Sequence, residues 1–252
     1  MAARSPFDPV AADYDAGRPG YPDRLYTALE EAAGPLAGAL VLDAGAGTGI
    51  ATRQLAARGA RAIALDVGEL MLRRAQARNP ATNCLLADGN AMPIRSGSID
   101  LACFAQSWHW FDPDRASWEV ARVLRPGGHW TAWWSHAWAD GEPWFDTYQR
   151  VMEAACPGYR MHHRNADWSE GSIAQTGLFE AGIRIVVPWT RTVEVPRWMT
   201  EERSKSYVAR LPPADRDRLL RGIDEILAAH FPGGAMQVPY RTRMWLARRR
   251  PS

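Results

Sequence analysis

Between Val41 and Gly49 the chain reads Val-Leu-Asp-Ala-Gly-Ala-Gly-Thr-Gly, and this stretch narrows the possible folds more than any other. A strand buried on both faces reads as an unbroken apolar run, here Leu40, Val41 and Leu42, and this one ends in an acid, Asp43. The turn that follows has glycine at every second position, Gly45, Gly47 and Gly49, with Ala46 and Thr48 between them. Glycine tolerates positive φ and lets backbone approach a ligand closely, so the turn leaves room for a bulky cofactor. Ile50 to Arg58 reads as the opening of a helix, whose N-terminus offers N–H groups to anionic parts of that ligand. The alternative is a tight turn whose glycines serve packing alone.

The same pattern of an apolar run closed by an acid returns twice. Arg61 to Asp66 reads as a second strand, and Asp66 stands where a βαβ unit places a carboxylate against a ribose. A carboxylate can accept both hydrogens of a vicinal diol, although an aspartate there would also cap the next helix. Cys84 to Ala87 reads as a third strand, followed by Asp88 and Gly89. In open α/β sheets ligands bind at the carboxyl ends of the strands, and Asp43, Asp66 and Asp88 all fall there. The dinucleotide fingerprint G-x-G-x-x-G would need glycine at position 50, where this chain has Ile50.

With Asp43 two residues ahead of Gly45 and the third glycine at Gly49, the turn resembles motif I of the class I S-adenosylmethionine-dependent methyltransferases. Asp88-Gly89-Asn90-Ala91-Met92-Pro93 is similar to that family's D-A-x-x-L-P loop. Gln106-Ser107-Trp108-His109-Trp110-Phe111-Asp112 resembles its Q-x-x-H-W-F-D stretch, and Leu124-Arg125-Pro126-Gly127-Gly128 its structural L-R-P-G-G turn. Tyr14 to Pro22 resembles the Y-x-x-x-R-P-x-Y-P signature of a small-molecule subgroup that includes trans-aconitate methyltransferase-like proteins.

The resemblance implies S-adenosylmethionine as cofactor, held by Asp43, Gly45, Ala46, Gly47, Thr48 and Gly49. It also implies that Asp88 and Gly89 recognise the adenine and that the backbone of Ala105 and Gln106 meets the methionine end. Tyr14 is expected near the methyl group and Arg18 near the methionine carboxylate, on a lid formed by residues 1–34. Val67 and Met71 are expected against the adenine face. The expected fold is a doubly wound, seven-stranded, mostly parallel α/β sheet, Rossmann-like, in one domain spanning 1–252. Its last strand is expected to run antiparallel, with segments 135–172 and 196–236 as a cap over the acceptor.

Twelve tryptophans is an unusual number for 252 residues, because such large rings are seldom accumulated without a packing or pocket role. Trp108, Trp110, Trp134, Trp138 and Trp144, with His109, are expected to line the acceptor site, the alternative being that they cover an apolar sheet edge. His109 can orient or deprotonate a nucleophile, or serve as a structural donor. His136 and Tyr14 complete the expected catalytic set. The acceptor is expected to be a small molecule methylated on a carboxylate or hydroxyl oxygen, with methylation at nitrogen or carbon as the alternative.

Other classes fit less well. A formal charge of +2 supplies no basic surface for nucleic acid, and Arg248-Arg249-Arg250 reads as a solvated tail. No apolar run approaches membrane-spanning length, and no secretory h-region opens the chain. Cys84, Cys103 and Cys156 show no C-x-x-C spacing, so they read as reduced packing residues in a cytoplasmic protein. Adjacent His162 and His163 do not share a face, and no metal site is expected. A nicotinamide-dependent oxidoreductase and an RNA-directed module are the rival readings. Further along, helices are expected at Gly68–Arg78 with Leu70, Met71 and Ala75 inward, at Trp118–Arg125, and at Ile173–Ala181. Strand six is expected at Ile183–Val187, Thr200 as a helix cap, and a last strand at Gln237–Ala247.

Overall fold

The computed structural model describes residues 17–156, 159 and 170–251. Tyr14 with the rest of residues 1–16 of the expected lid, and the His162–His163 pair, lie outside the described residues.

A seven-stranded sheet in the order β3-β2-β1-β4-β5-β7-β6 forms the body of the molecule. Its members are β1 (Leu40–Ala44), β2 (Arg61–Asp66), β3 (Asn83–Leu86), β4 (Ile99–Ala105), β5 (Leu124–Ala137), β6 (Ile183–Glu194) and β7 (Ala235–Arg248). The first five pair in parallel, joined by crossovers, and β7 runs antiparallel to both β5 and β6. Strand order therefore reverses at β1, whose neighbours are β2 and β4, the place where open α/β sheets bind ligands.

Helices cover both faces. On one face α1 (Asp23–Ala33) and α2 (Ile50–Ala57) bury Leu25, Tyr26, Leu29 and Leu55 against Val41, Cys103 and Trp133. On the other, α4 (Pro113–Val123) sets Ala116, Val120 and Val123 against Leu42, Phe104 and Trp130. Each Å² of apolar area these layers remove from water contributes roughly 25 cal/mol to stability. α1 is thus a cover for the sheet, whereas the lid expectation included it.

Short and long strands divide the work. β1 to β4 stop at the sheet's carboxyl edge, while β5, β6 and β7 run past it, with Ala137 opposite Tyr240 and Glu194 opposite Ala235. On that overhang sit α5 (Pro143–Ala155), α7 (Val195–Ser204) and α9 (Pro213–His230), followed in space by the short α8 (Ser206–Ala209). They enclose a second core of Trp144, Phe145, Met152, Trp198, Ile223 and Leu227.

Several expectations of local structure need correction. Leu70 points to solvent at 49% exposure, and α3 (Glu69–Arg78) buries Met71, Leu72 and Ala75 instead. Trp118 is likewise exposed, because the inward stripe of α4 runs through Ala116, Val120 and Val123. After α4 the chain enters β5 directly at Leu124, and the Gly127–Gly128 segment is absorbed as a register shift against β4. The helix expected at Ile173–Ala181 is α6, Glu170–Gln175. β6 continues through Pro188, which an edge strand tolerates because no partner needs its missing N–H. Thr200 caps nothing: α7 already begins beside Pro196, and the Thr200 hydroxyl donates back to the Pro196 carbonyl at 3.0 Å.

Candidate functional site

The glycine turn hangs from β2. Gly45 and Ala46 both donate to the Leu65 carbonyl, at 2.8 and 3.0 Å, and Gly49 donates to Ala46. Gly47 N–H donates to the Asp66 carboxylate at 2.8 Å, and the other Asp66 oxygen accepts from Gly68 N–H at 2.7 Å. These loop amides are spent inside the protein. A pyrophosphate would find an acid where it needs donors. Gly45 adopts φ 69°, and a Cβ there would stand 2.5 Å from Ser107 Cβ, so its glycine is required by the β4 loop closing over it. Gly89 is similarly forced, by the ring of Phe111.

Asp43 lies beneath this turn, fully buried, accepting from Thr52 Oγ1 at 2.6 Å. Burial drives its pKa up from 3.8 to about 6, against the lowering effect of the Thr52 hydrogen bonds. Its expected contact with the cofactor is not made through the cavity wall. The same holds for Ala46, Thr48 and Gly49, which carry the turn without lining the cavity.

A cavity of about 440 Å³ opens along the strand tips. Gly45, Gly47, Asp66, Val67 and Met71 line it, then Asp88 and Gly89, then Ala105 and Gln106. Asp88 Oδ1 accepts both the backbone and side-chain N–H of Asn90, which leaves Oδ2 for a ligand. Gln106, at φ 55°, is the one non-glycine residue at positive φ among the described residues. Such strain is held where surrounding structure demands it, and here the Gln106 N–H is pinned to Trp133 O at 2.8 Å.

Of the expected acceptor residues, His109, Trp110, Trp134 and His136 line the cavity and Trp108, Trp138 and Trp144 do not. Trp108 turns inward and packs edge-on against Phe104 and Trp130. Trp144 belongs to the cap core, against Phe145, Trp198 and Phe231. Trp138 lies under the Arg241 guanidinium at 4.3 Å. His109 is narrowed chemically. Trp134 Nε1–H, which can only donate, reaches His109 Nδ1 at 3.2 Å, so the neutral imidazole carries its proton on Nε2. In that tautomer Nε2 is a donor and has no lone pair with which to act as a base.

Arg18, an expected site residue, stands at the far wall, and the rest of that wall was missed in the sequence: Glu201, Lys205, Tyr148, Tyr207 and Tyr240 line it. Arg191 pairs with Glu201 at 2.5 Å and donates to Tyr240 Oη at 3.0 Å and to the Gly17 carbonyl at 3.2 Å. Gly17 has no room for a side chain, since a Cβ would meet Glu201 N at 2.6 Å. Lys205 pairs with Glu202 at 2.7 Å, and both hold the Tyr148 hydroxyl. Burial alone would raise the Glu201 pKa, but Arg18, Lys205 and Arg191 together hold it below the ordinary value. Burial prevails at Glu202, whose pKa is raised. Arg18 reaches Glu201 at 4.0 Å, so it stands between the strand tips and the cap. Among the described residues no three His, Cys, Asp or Glu side chains gather to hold a metal ion, and no helix is long and apolar enough to cross a membrane.

Comparison with known proteins points the same way as this geometry. Residues 42–132 match the methyltransferase domain family. The chain is 32% identical, over 89% of its own length and 86% of the relative's, to an uncharacterized methyltransferase of Mycobacterium tuberculosis. It is 28% identical, over 87% and 85% of the two chains, to an uncharacterized methyltransferase-like protein of Schizosaccharomyces pombe. A solved structure of a candidate type II methyltransferase from Anaeromyxobacter dehalogenans superposes with a TM-score of 0.70 at 26% identity, covering 93% of this chain and 99% of that one.

Proposed function

This chain belongs to the S-adenosylmethionine-dependent methyltransferases, and from that premise we propose that it methylates a carboxylate or hydroxyl oxygen on a small apolar or aromatic acceptor. One observation carries the reading: a continuous cavity joins the acidic strand tips to an aromatic wall built by the cap.

The residues present fit the cofactor. Asp66 accepts from Gly47 and Gly68 N–H through one oxygen each, which fixes its carboxylate at the strand tip where it would meet the ribose diol. Asp88 Oδ2 and the Gly89 backbone are placed for the adenine, with Val67 and Met71 against its face. Gly45, Gly47 and the strained Gln106 backbone border the methionine end, and Arg18 receives the methionine carboxylate. Tyr14, outside the described residues, keeps its proposed place beside the methyl group. When bound, the cofactor supplies an electrophilic methyl carbon whose bond to sulfur breaks as the acceptor lone pair forms the new bond.

The chain's own work is alignment and exclusion of water. His109 Nε2–H donates to the acceptor oxygen and orients it, while Trp134 holds the ring in that tautomer. A carboxylate needs no base; for a hydroxyl acceptor His136 is the imidazole left to take the proton. Trp134, Phe145, Tyr148 and Trp198 close the space around the acceptor body. Against a nicotinamide reading stand the inward glycine-loop amides and the acid beside them.

Calorimetric titration with S-adenosylhomocysteine, followed by labelled-methyl transfer to panels of acids, phenols and amines, tests the proposal. Binding with label recovered on oxygen supports it. Label on nitrogen or carbon replaces the oxygen assignment, and binding of NAD with no response to S-adenosylhomocysteine overturns the reading.

A further inference from the structure

The cap wall holds a cluster of buried charge. Arg191 pairs there with Glu201 and Lys205 with Glu202, and the side chains of Arg191, Glu201 and Glu202 are less than 9% exposed. Arg191 and Glu201 neutralise each other, and Arg18 shares Glu201 while reaching toward the strand tips. Glu202 is the weaker anion of the two, because burial favours its protonated form. Burial works against the Lys205 charge, but Glu202 and Glu201 together hold its pKa above the ordinary value, so the ammonium stays charged at the cavity wall. An anionic ligand is attracted to that ammonium and a cationic one repelled.

The geometry around Lys205 is that of a receiving site. Its ammonium has three donors. One goes to Glu202 Oε1 at 2.7 Å and one to Tyr148 Oη at 3.0 Å, which leaves the third for the cavity that Lys205 lines. The adjoining Ser206 and Tyr207 side chains line the same wall, and their hydroxyls have no hydrogen-bond partner among the described residues. The Tyr148 and Trp198 rings stand 5.6 and 5.7 Å from Lys205 Nζ, so a flat apolar body reaching this point would have ring faces beside it.

Building on the function proposed above, we propose that the acceptor is an organic acid whose carboxylate docks on Lys205 and the Ser206 and Tyr207 hydroxyls. Lys205 is then a specificity-determining residue. It anchors the acceptor by a charged group distinct from the cofactor's, and it rejects ammonium-bearing acceptors by like-charge repulsion. This separates the oxygen and amine readings on residues of the cap.

Matched sets of acid, amide and amine probes with phenyl, indolyl and octyl bodies test it, titrated into the protein saturated with S-adenosylhomocysteine. In at least one set the acid should bind about tenfold or more tighter than its amide, and the amine weakest. Lys205→Arg should keep that preference. Lys205→Met removes the partner of a buried carboxylate, so Lys205→Met/Glu202→Gln is made alongside it to keep the pocket neutral. The double variant should bind acid and amide alike. Glu202→Gln alone, which leaves Lys205 without its counter-ion, should sharpen the preference for acid, an increase that a merely structural lysine would not produce. No preference for acid in any set, or a preference that survives in the double variant, overturns the proposal. Failure of the wild type to bind S-adenosylhomocysteine would instead overturn the functional reading beneath it.

Discussion

The two ends of the cavity bury carboxylates in opposite ways. Beneath the glycine turn, Asp43 is wholly buried with a hydroxyl and a thiol for company, and its pKa rises to about 6. In the cap, Glu201 is just as deeply enclosed, yet Arg18, Arg191 and Lys205 keep it ionised. Depth alone does not decide protonation; the cations within reach do. The strand-tip end spends its polar groups on holding a turn in shape, whereas the cap end spends them on fixing a field.

Four substitutions press on that contrast, beginning with the largest expected effect. Glu201→Gln leaves Arg191 buried without the carboxylate it pairs with and should cost about 3–5 kcal/mol at neutral pH. Because the folded pKa of Glu201 is depressed, its contribution is present above the ordinary glutamate value and fades as pH falls. The variant and wild type should therefore converge in acid, as read by denaturant unfolding at several pH values. Equal stability at pH 7 would break the contrast.

Asp43→Asn should do the reverse. The folded chain holds a proton that the unfolded chain releases between 3.8 and about 6, so this group's stabilisation is full below that window and lost as pH rises through it. Two pKa units correspond to about 3 kcal/mol, which is the ceiling on the gain expected for the asparagine variant at pH 7.5. The two proteins should match below pH 4. A destabilised variant at pH 7.5 would mean that the charged form is favoured after all.

Asp66→Ala addresses ligand rather than stability. Losing hydrogen bonds to a charged acceptor costs about 1.5–3 kcal/mol, so affinity for S-adenosylhomocysteine should fall roughly tenfold to a hundredfold by calorimetry, with circular dichroism unchanged. Unaltered affinity would show that this carboxylate serves only Gly47 and Gly68. The smallest effect is expected for Trp134→Phe. It removes one neutral hydrogen bond, about 0.5–1.5 kcal/mol, and frees the His109 tautomer. Turnover should drop by roughly twofold to tenfold with cofactor affinity intact, and a change in the pH profile would sharpen the assignment of His109 as donor.

Legibility in the sequence followed the same division. Asp43, the glycines, Asp66 and Asp88 belong to strand–turn–helix units, where each residue is positioned by neighbours a few places away. Their spacing could be read directly, and the alternating strand and helix pattern with it. The cap could not be read so. Arg191 meets Gly17 across 174 residues, and Tyr148 meets Glu202 across 54. Glu201 and Glu202 looked like dipole-matching acids in a first turn, because Thr200 resembled a cap. The helix in fact starts at Val195, which moves both acids into its interior and under cover. Tryptophan number signalled an aromatic site but not which rings would face it: Trp108 and Trp144 fill cores, and Trp138 supports an arginine. A signal was present in β6, where the inward position of a period-two strand is occupied by Arg191, a charge that must find a partner when buried.

The overrun of β5, β6 and β7 past the sheet's edge has a further bearing. Residues of the cap wall ride on the same rods that finish the strand-tip scaffold, so the two ends of the cavity share girders instead of a hinge. Refashioning this protein for a different acceptor would call for transplanting the whole cassette from Ala137 to Tyr240 with its strands attached, since loops grafted singly would arrive without the framework that aims them.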